Sequence, residues 1–120
     1  MIKSILAVTV TLFMATLIHA DAKTTAKTEI SRQYDLLKKG DLAQLKTRFT
    51  DRQKERITAD KVKKAQDEIK NYTIDDLVAS VIEGDYQGKK TIKIKMKNGR
   101  TLTTLIQEGS EWRSDTIWFR

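Results

Sequence analysis

The chain has 120 residues, with 23 lysine and arginine residues against 16 aspartate and glutamate residues, one histidine and no cysteine. Its formal net charge is +7. The missing cysteines exclude disulfides, thiolate chemistry and cysteine-containing zinc sites.

Residues 1–20 have the three-part layout of a secretory signal peptide: a cationic start around Lys3, an apolar stretch over 5–18, and the small residue Ala20 before the expected cut. As a helix the apolar stretch would span about 21 Å, short of the ~30 Å hydrocarbon core that an anchor must cross. We therefore expect an exported chain, periplasmic or secreted. It would not be lipid-anchored, because no cysteine stands at the cut.

The expected mature chain, residues 21–120, is long enough for one domain and too short for two. It keeps 22 basic and 16 acidic residues, a net charge of +6, and loses the one histidine, His19. No triad that uses histidine is then available for catalysis.

Helical spacing of apolar residues runs from Thr25 to Asn71. The first helix is predicted to end at Gly40, after two lysines, because glycine and basic residues are typical of helix ends. Asp41 and Thr58 are predicted to be the N-caps of two further helices. One face of the first helix carries its apolar residues, namely Ala26, Ile30, Tyr34 and Leu37.

From Leu77 onward the apolar residues alternate, which predicts strands over 77–82, 91–97, 100–107 and 112–120. Gly84-Asp85 is expected to end the first of them, and Asn98-Gly99 predicts a type I′ hairpin turn. Helices followed by a meander predict an α+β fold, with two to three helices packed on one face of a curved antiparallel sheet of about four strands. Inward positions on the second strand are Ile92, Ile94 and Met96.

This order of elements resembles the nuclear-transport-factor-2-like (cystatin-like) superfamily. The resemblance covers about Thr25 to Arg120, and it is closest to small exported bacterial members filed as domains of unknown function. Its motifs are Lys38-Lys39-Gly40-Asp41 at a helix end, Ile82-Glu83-Gly84-Asp85, and Gly109-Ser110-Glu111-Trp112-Arg113-Ser114-Asp115 at the last strand.

The resemblance implies a sheet wrapped around a long helix, with a cone-shaped cavity that family members use as an active site or a ligand pocket. Members with isomerase or dehydratase activity use aspartate, tyrosine or histidine in the cone. None of their catalytic residues can be placed on a position of this chain.

Aromatic residues are the candidate walls of a ligand pocket. Tyr34 lies on the inner face of the first helix, and Trp112 and Trp118 share a face of the predicted last strand. Plain core packing explains the same pattern. The weak catalytic candidates are Asp115 and Tyr34, because carboxylates are the remaining acid–base groups.

A basic strand is the second candidate site. Lys90, Lys93, Lys95, Lys97 and Arg100 would form an anion-binding surface, or simply a solvated sheet face. Nucleic acid is not an expected partner, because no aromatic residue interleaves with these cations and the chain is expected to be exported. The sequence carries no EF-hand-type calcium loop and no glycine-rich phosphate loop, so we expect no metal and no cofactor.

The first functional hypothesis is a non-catalytic exported binding module for a small apolar ligand or a protein partner. As a secondary expectation, the module would form a homodimer through an uncharged sheet face made by Thr101, Thr103 and Leu105. The alternatives are an isomerase-like or dehydratase-like enzyme using Asp115 with Tyr34, and an envelope protein that binds anionic surfaces through the basic strand.

Overall fold

The computed structural model describes residues 22–119, so the predicted signal peptide and Arg120 lie outside the described residues. Five α-helices and one 3₁₀ turn precede four strands, which confirms the predicted α+β class. The helices are α1 Ala22–Lys39, α2 Leu42–Lys46, α3 Asp51–Lys54, α4 Ala59–Glu68 and α5 Ile74–Leu77, with the 3₁₀ turn at Ile69–Asn71. The strands are β1 Ser80–Tyr86, β2 Lys89–Lys95, β3 Thr101–Glu108 and β4 Glu111–Ser114.

The helix ends follow the predicted capping pattern. The chain leaves α1 at Gly40 with φ +72°, a left-handed conformation that suits glycine. The side-chain oxygen of Asp41 accepts from the Gln44 N–H at 3.2 Å, and that of Thr58 accepts from the Lys61 N–H at 3.2 Å. Both predicted N-caps are therefore confirmed.

The four strands form one antiparallel sheet in the order β1-β2-β3-β4. Beyond β4 the segment 48–50 continues the hydrogen bonding. The Thr50 N–H donates to the Ser114 carbonyl at 2.9 Å, and the Ser114 N–H donates to the Arg48 carbonyl at 2.9 Å. At the opposite edge of the sheet, β1 pairs with β2 and has no second neighbour among the described strands.

The core lies between the inner face of the sheet and the helices. Ile92 and Ile94 face inward as predicted, beside Leu105 of β3. One cluster joins α1 to the sheet through Ala26, Ile30, Leu77, Val78, Ile92, Ile94 and Leu105. A second cluster joins the helices to the chain end through Leu37, Leu45, Phe49, Ile57, Val62, Ala65, Ile69 and Phe119.

The predicted first strand is displaced toward the C-terminus. Residues up to Leu77 form α5, because Thr73 and Asp76 make a capping box in which each side chain accepts from the other's N–H. Strand β1 begins at Ser80 and ends at Tyr86, so it continues through Gly84-Asp85, where the strand was predicted to end. Pairing with β2 carries the strand across the glycine.

The two hairpin turns differ from the predicted pattern. Gln87-Gly88 joins β1 to β2 with φ of 51° and 79°, the positive values of a type I′ turn. At Asn98-Gly99 only the glycine has a positive φ, and the Gly99 N–H donates to the Met96 carbonyl at 2.9 Å. The type I′ prediction for Asn98-Gly99 is therefore wrong, since this loop is a type I turn followed by a glycine bulge.

The last strand ends at Ser114, not at the C-terminus. From Asp115 the chain turns into the helical layer, where the Trp118 indole N–H donates to the Gln33 side chain at 2.7 Å. Phe119 makes edge-to-face contacts with Phe49 and Trp118, at ring-centroid distances of 5.9 and 5.4 Å. Burial against the helices replaces the predicted continuation of the strand.

Candidate functional site

The outer face of β1 and β2 carries the predicted basic residues with exposed apolar ones. Lys93 lies opposite Ile82 in the strand register, and Lys89 lies opposite Tyr86. Ile82 and Tyr86 are each 53% exposed. We call this surface the basic sheet face, defined by Ile82, Tyr86, Lys89, Lys93 and Lys95.

The five residues predicted to bind anions do not all lie on one surface. Lys93 and Lys95 point to the basic sheet face, whereas Lys90 lies on the opposite face, across from Asp85. Lys97 and Arg100 lie in and beside the β2–β3 turn, where the Lys97 N–H donates to the Asp76 carbonyl at 2.9 Å.

Charge on the basic sheet face is largely uncompensated. Lys89 has an acidic partner, Glu108, at 3.4 Å. Lys93 and Lys95 form no ion pair with any residue of the described chain, and neither do Lys97 and Arg100. The face therefore keeps at least two cations available to a partner.

A buried chain of polar side chains runs between α1 and β4. Glu29 is 4% exposed and Gln33 is fully buried. The Gln33 amide donates to Glu29 at 3.1 Å and to the Ser114 hydroxyl at 3.0 Å, and its oxygen accepts from Trp118. Arg48 completes this network of side chains. Its guanidinium donates to both oxygens of the Glu29 carboxylate, and the distance from Nε to Oε2 is 2.9 Å.

Sequence reasoning missed this polar chain. Glu29 and Gln33 are four residues apart and border the apolar stripe of α1, so their spacing was an available signal of burial on one helix face. The Glu29 carboxylate is the main reason that the pKa of Arg48 is raised. Its hydrogen bonds and its charge favour the protonated guanidinium.

A groove of about 420 Å³ opens beside this polar chain, between the start of α1 and the β3–β4 turn. We call it the threonine groove; its lining residues are Thr24, Thr25, Thr28, Glu29, Arg32, Arg48, Ser110, Glu111 and Trp112. A second groove of about 560 Å³ lies near α4 and the chain end.

The three predicted pocket aromatics do not meet in either of these two grooves, and all three pack against the core cluster between α1 and the sheet. The Tyr34 hydroxyl donates to the carbonyls of Ile69 at 3.0 Å and Tyr72 at 3.3 Å, which ties α1 to the 3₁₀ turn. Trp118 bonds to Gln33 inside the core. Only Trp112 lines the threonine groove.

The weak catalytic candidates also lie in separate networks. The Asp115 carboxylate accepts from the Thr50 hydroxyl at 2.8 Å and from both Nε and Nη2 of Arg52. These hydrogen bonds raise the pKa of the Arg52 guanidinium. Tyr34 instead donates to backbone carbonyls near the 3₁₀ turn, so the hydrogen bonds of Tyr34 and Asp115 have no partner in common.

The uncharged face predicted for a homodimer is turned toward the core. Leu105 is fully buried and Thr103 is 1% exposed, while Thr101 is exposed at the start of β3. The register shift at Ile94/Lys95 pairs Thr101 with the outward-facing Lys95, so the three residues do not form one exposed face.

Within residues 22–119, no three acidic, histidine or cysteine side chains are grouped so that they could bind a metal ion. None of the helices described combines the length and the apolar character needed to cross a bilayer.

Comparison of the chain with protein-family models, with curated proteins and with solved structures finds no match. The fold and site thus define an α+β domain with a basic sheet face and a polar groove. Its resemblance to the nuclear-transport-factor-2-like superfamily stays a prediction from the sequence.

Proposed function

We propose that the chain is a non-catalytic binding module that docks on an anionic lipid surface through the basic sheet face. One observation carries the proposal: two exposed apolar side chains, Ile82 and Tyr86, stand directly across the strand register from Lys93 and Lys89. Export of the chain, as expected from residues 1–20, would bring this face to an envelope membrane.

The chemistry of the face suits lipid headgroups. A lysine near an anionic membrane contributes about 1 kcal/mol of attraction. Tyrosine is favoured at the membrane–water interface, where its ring sits among headgroups and its hydroxyl stays hydrated. Lys93 and Lys95 have no ion pair within residues 22–119 to give up on binding, so their attraction to phosphate is not offset by the loss of such a contact.

Exposed apolar side chains favour a membrane over an anionic polymer. Ile82 and Tyr86 gain little from a hydrated polyanion, whereas both lose water-exposed apolar surface when they enter the headgroup region. Residues 82–90 of the β1–β2 hairpin are exposed on both sheet faces, so the hairpin can approach a flat surface without obstruction by the helices.

Vesicle co-sedimentation tests the proposal. We expect binding to vesicles of phosphatidylglycerol mixed with phosphatidylcholine, and none to phosphatidylcholine alone. Binding should weaken strongly between about 0.1 M and about 1 M NaCl, because the Debye length falls from ~10 to ~3 Å.

Paired variants locate the binding surface. The double variant Lys93→Gln/Lys95→Gln should lose affinity about 25-fold, since each lysine contributes roughly fivefold. The matched control, Lys39→Gln/Lys63→Gln, removes the same charge from exposed helix positions and should lose much less. Equal losses in both double variants would overturn the proposal.

The double variant Ile82→Thr/Tyr86→Thr distinguishes a lipid partner from an anionic polymer. This variant keeps every lysine and should bind the mixed vesicles more weakly, while binding to polyphosphate stays unchanged. Tighter binding of the unmodified protein to polyphosphate than to vesicles would replace the membrane with an anionic polymer as the partner.

A further inference from the structure

The threonine groove is lined by hydrogen-bonding groups that have no partner within the described chain. Its four hydroxyl groups, on Thr24, Thr25, Thr28 and Ser110, make no hydrogen bond with any residue of the described chain. The indole N–H of Trp112 has no acceptor among these residues either, and it is not buried. We propose that this groove binds a neutral, hydroxyl-rich ligand, a saccharide.

The charges in the groove already neutralise one another. Arg48 donates to Glu29 and, at 3.2 Å, to Glu111, and Arg32 lies 3.5 Å from Glu29. Two cations and two anions thus leave no net charge to attract an ionic ligand. The groove offers hydroxyl groups and one indole N–H, which pair with sugar hydroxyls in either direction because a hydroxyl both donates and accepts.

The walls of the groove are held in place. On one side, Thr24, Thr25 and Thr28 project from the first two turns of α1, an 18-residue helix anchored by the core. On the other, Gly109 takes φ +65° in the tight β3–β4 turn that presents Ser110. Groups held before binding lose less conformational entropy when a ligand arrives.

Trp112 supplies the apolar part of the site. Its ring is partly buried against the core cluster, and the residue lines the groove. An indole combines a broad apolar face with a polar N–H, and a sugar combines C–H faces with hydroxyl groups. The volume of about 420 Å³ falls in the range of small-ligand sites, roughly 300–1,000 Å³.

The second groove is larger, but its hydroxyl groups are already bonded within the fold. Its Thr58 caps α4, its Asp60 pairs with Lys64 at 3.4 Å, and its Thr116 donates to Thr103 at 2.9 Å. These three polar side chains serve the fold. The contrast shows that volume alone does not single out the threonine groove, whereas its open hydrogen-bonding groups do.

Titration with neutral trisaccharides, followed by ¹H–¹⁵N NMR, tests the inference. Suitable probes are maltotriose, cellotriose and triacetylchitotriose. We expect at least one to bind saturably with a Kd of about 1 mM or tighter. The indole N–H resonance of Trp112 should shift, while that of Trp118 stays fixed, because Trp118 is already bonded to Gln33.

Variants that remove hydroxyl groups and keep the side-chain shape complete the test. Thr24→Val/Thr28→Val should weaken binding at least tenfold, while Thr101→Val, at an exposed position on β3, should leave it unchanged. Circular dichroism confirms that each variant is folded.

Three results would overturn the inference: no shift with any of the trisaccharides, shifts confined to other surfaces, or tighter binding of an oligogalacturonate than of every neutral probe. The inference is independent of vesicle binding, since Lys93→Gln/Lys95→Gln should bind the saccharide normally.

Discussion

The Arg48 guanidinium bonds to both oxygens of the Glu29 carboxylate across nineteen residues of chain. The two side chains are 12% and 5% exposed. Arg48 is the first residue of the segment 48–50 that extends the sheet beyond β4, so the ion pair fixes α1 against that edge. The threonine groove is built on this pair.

Arg48→Met should destabilise the fold by about 3 kcal/mol, because it leaves the Glu29 carboxylate buried without its main partner. Glu29→Gln should lower the free energy of unfolding by less, about 1–2 kcal/mol, because Arg48 still has the Glu111 carboxylate as a partner. Urea unfolding of each variant measures both values.

The comparison variant for the ion pair is Lys70→Ala, which breaks the exposed pair with Asp67 on the surface of the helical layer. It should change stability by less than about 1 kcal/mol. An Arg48→Met loss no greater than that of Lys70→Ala would contradict a structural role for the Glu29–Arg48 pair.

Gln33→Leu should cost about 2–4 kcal/mol, since it leaves Trp118, Ser114 and Glu29 each short of a hydrogen bond in the core. The Trp118 indole proton should also exchange faster with solvent, which NMR detects directly. Gln44→Leu, at an exposed position of α2, serves as the control and should leave both quantities nearly unchanged. Slow exchange in Gln33→Leu would show that Trp118 does not depend on this acceptor.

Asp76 should make stability depend on pH. The Thr73 backbone N–H donates to its carboxylate at 3.0 Å and lowers its pKa, and the positive charge of Lys97 acts in the same direction. Because the folded state favours the ionised form, this contribution is fully present above the ordinary carboxyl pKa of about 3.9. It is lost as the pH falls through the lower pKa of the folded state.

The stability difference between the unmodified protein and Asp76→Asn should therefore be constant near neutral pH and shrink in acid. Denaturant midpoints measured from pH 7 down to about pH 2.5 follow this change. Asp35→Asn removes an exposed carboxylate from α1 and is the matched control. A difference for Asp76→Asn that stays constant into acid would refute the capping argument.

Gln87→Asn should stabilise the protein by about 0.5–1 kcal/mol, part of the ~1–2 kcal/mol that a left-handed conformation costs an ordinary residue. Gln87 has φ +51° in the type I′ turn, and asparagine before glycine is favoured there. The melting temperature should rise. A lower melting temperature would mean that the Gln87 side chain stabilises the turn by a contact of its own.

Local signals in the sequence were sufficient for much of the helical half. Gly40, Asp41 and Thr58 act within four residues of their own position, so their capping roles were predicted correctly. The alternation of β2 also placed Ile92 and Ile94 inward, because the two-residue period of a strand needs no tertiary information.

The features that the sequence did not predict depend on contacts between residues far apart in the chain. Trp118 leaves the predicted strand because Gln33, 85 residues earlier, accepts its indole proton in the core. Alternation continues past Ser114 in the sequence, but the helical layer offers Phe119 a buried site beside Phe49. The threonine groove is another case, since Glu29, Arg48 and Trp112 are far apart in the sequence and lie together only in the folded structure.

The segment 48–50 has a consequence for how copies of this protein could assemble. It covers the outer edge of β4, whereas β1 lies at the other edge of the sheet, beside β2. Strand pairing between copies would therefore be directed to β1, and two copies joined edge to edge there would form a dimer.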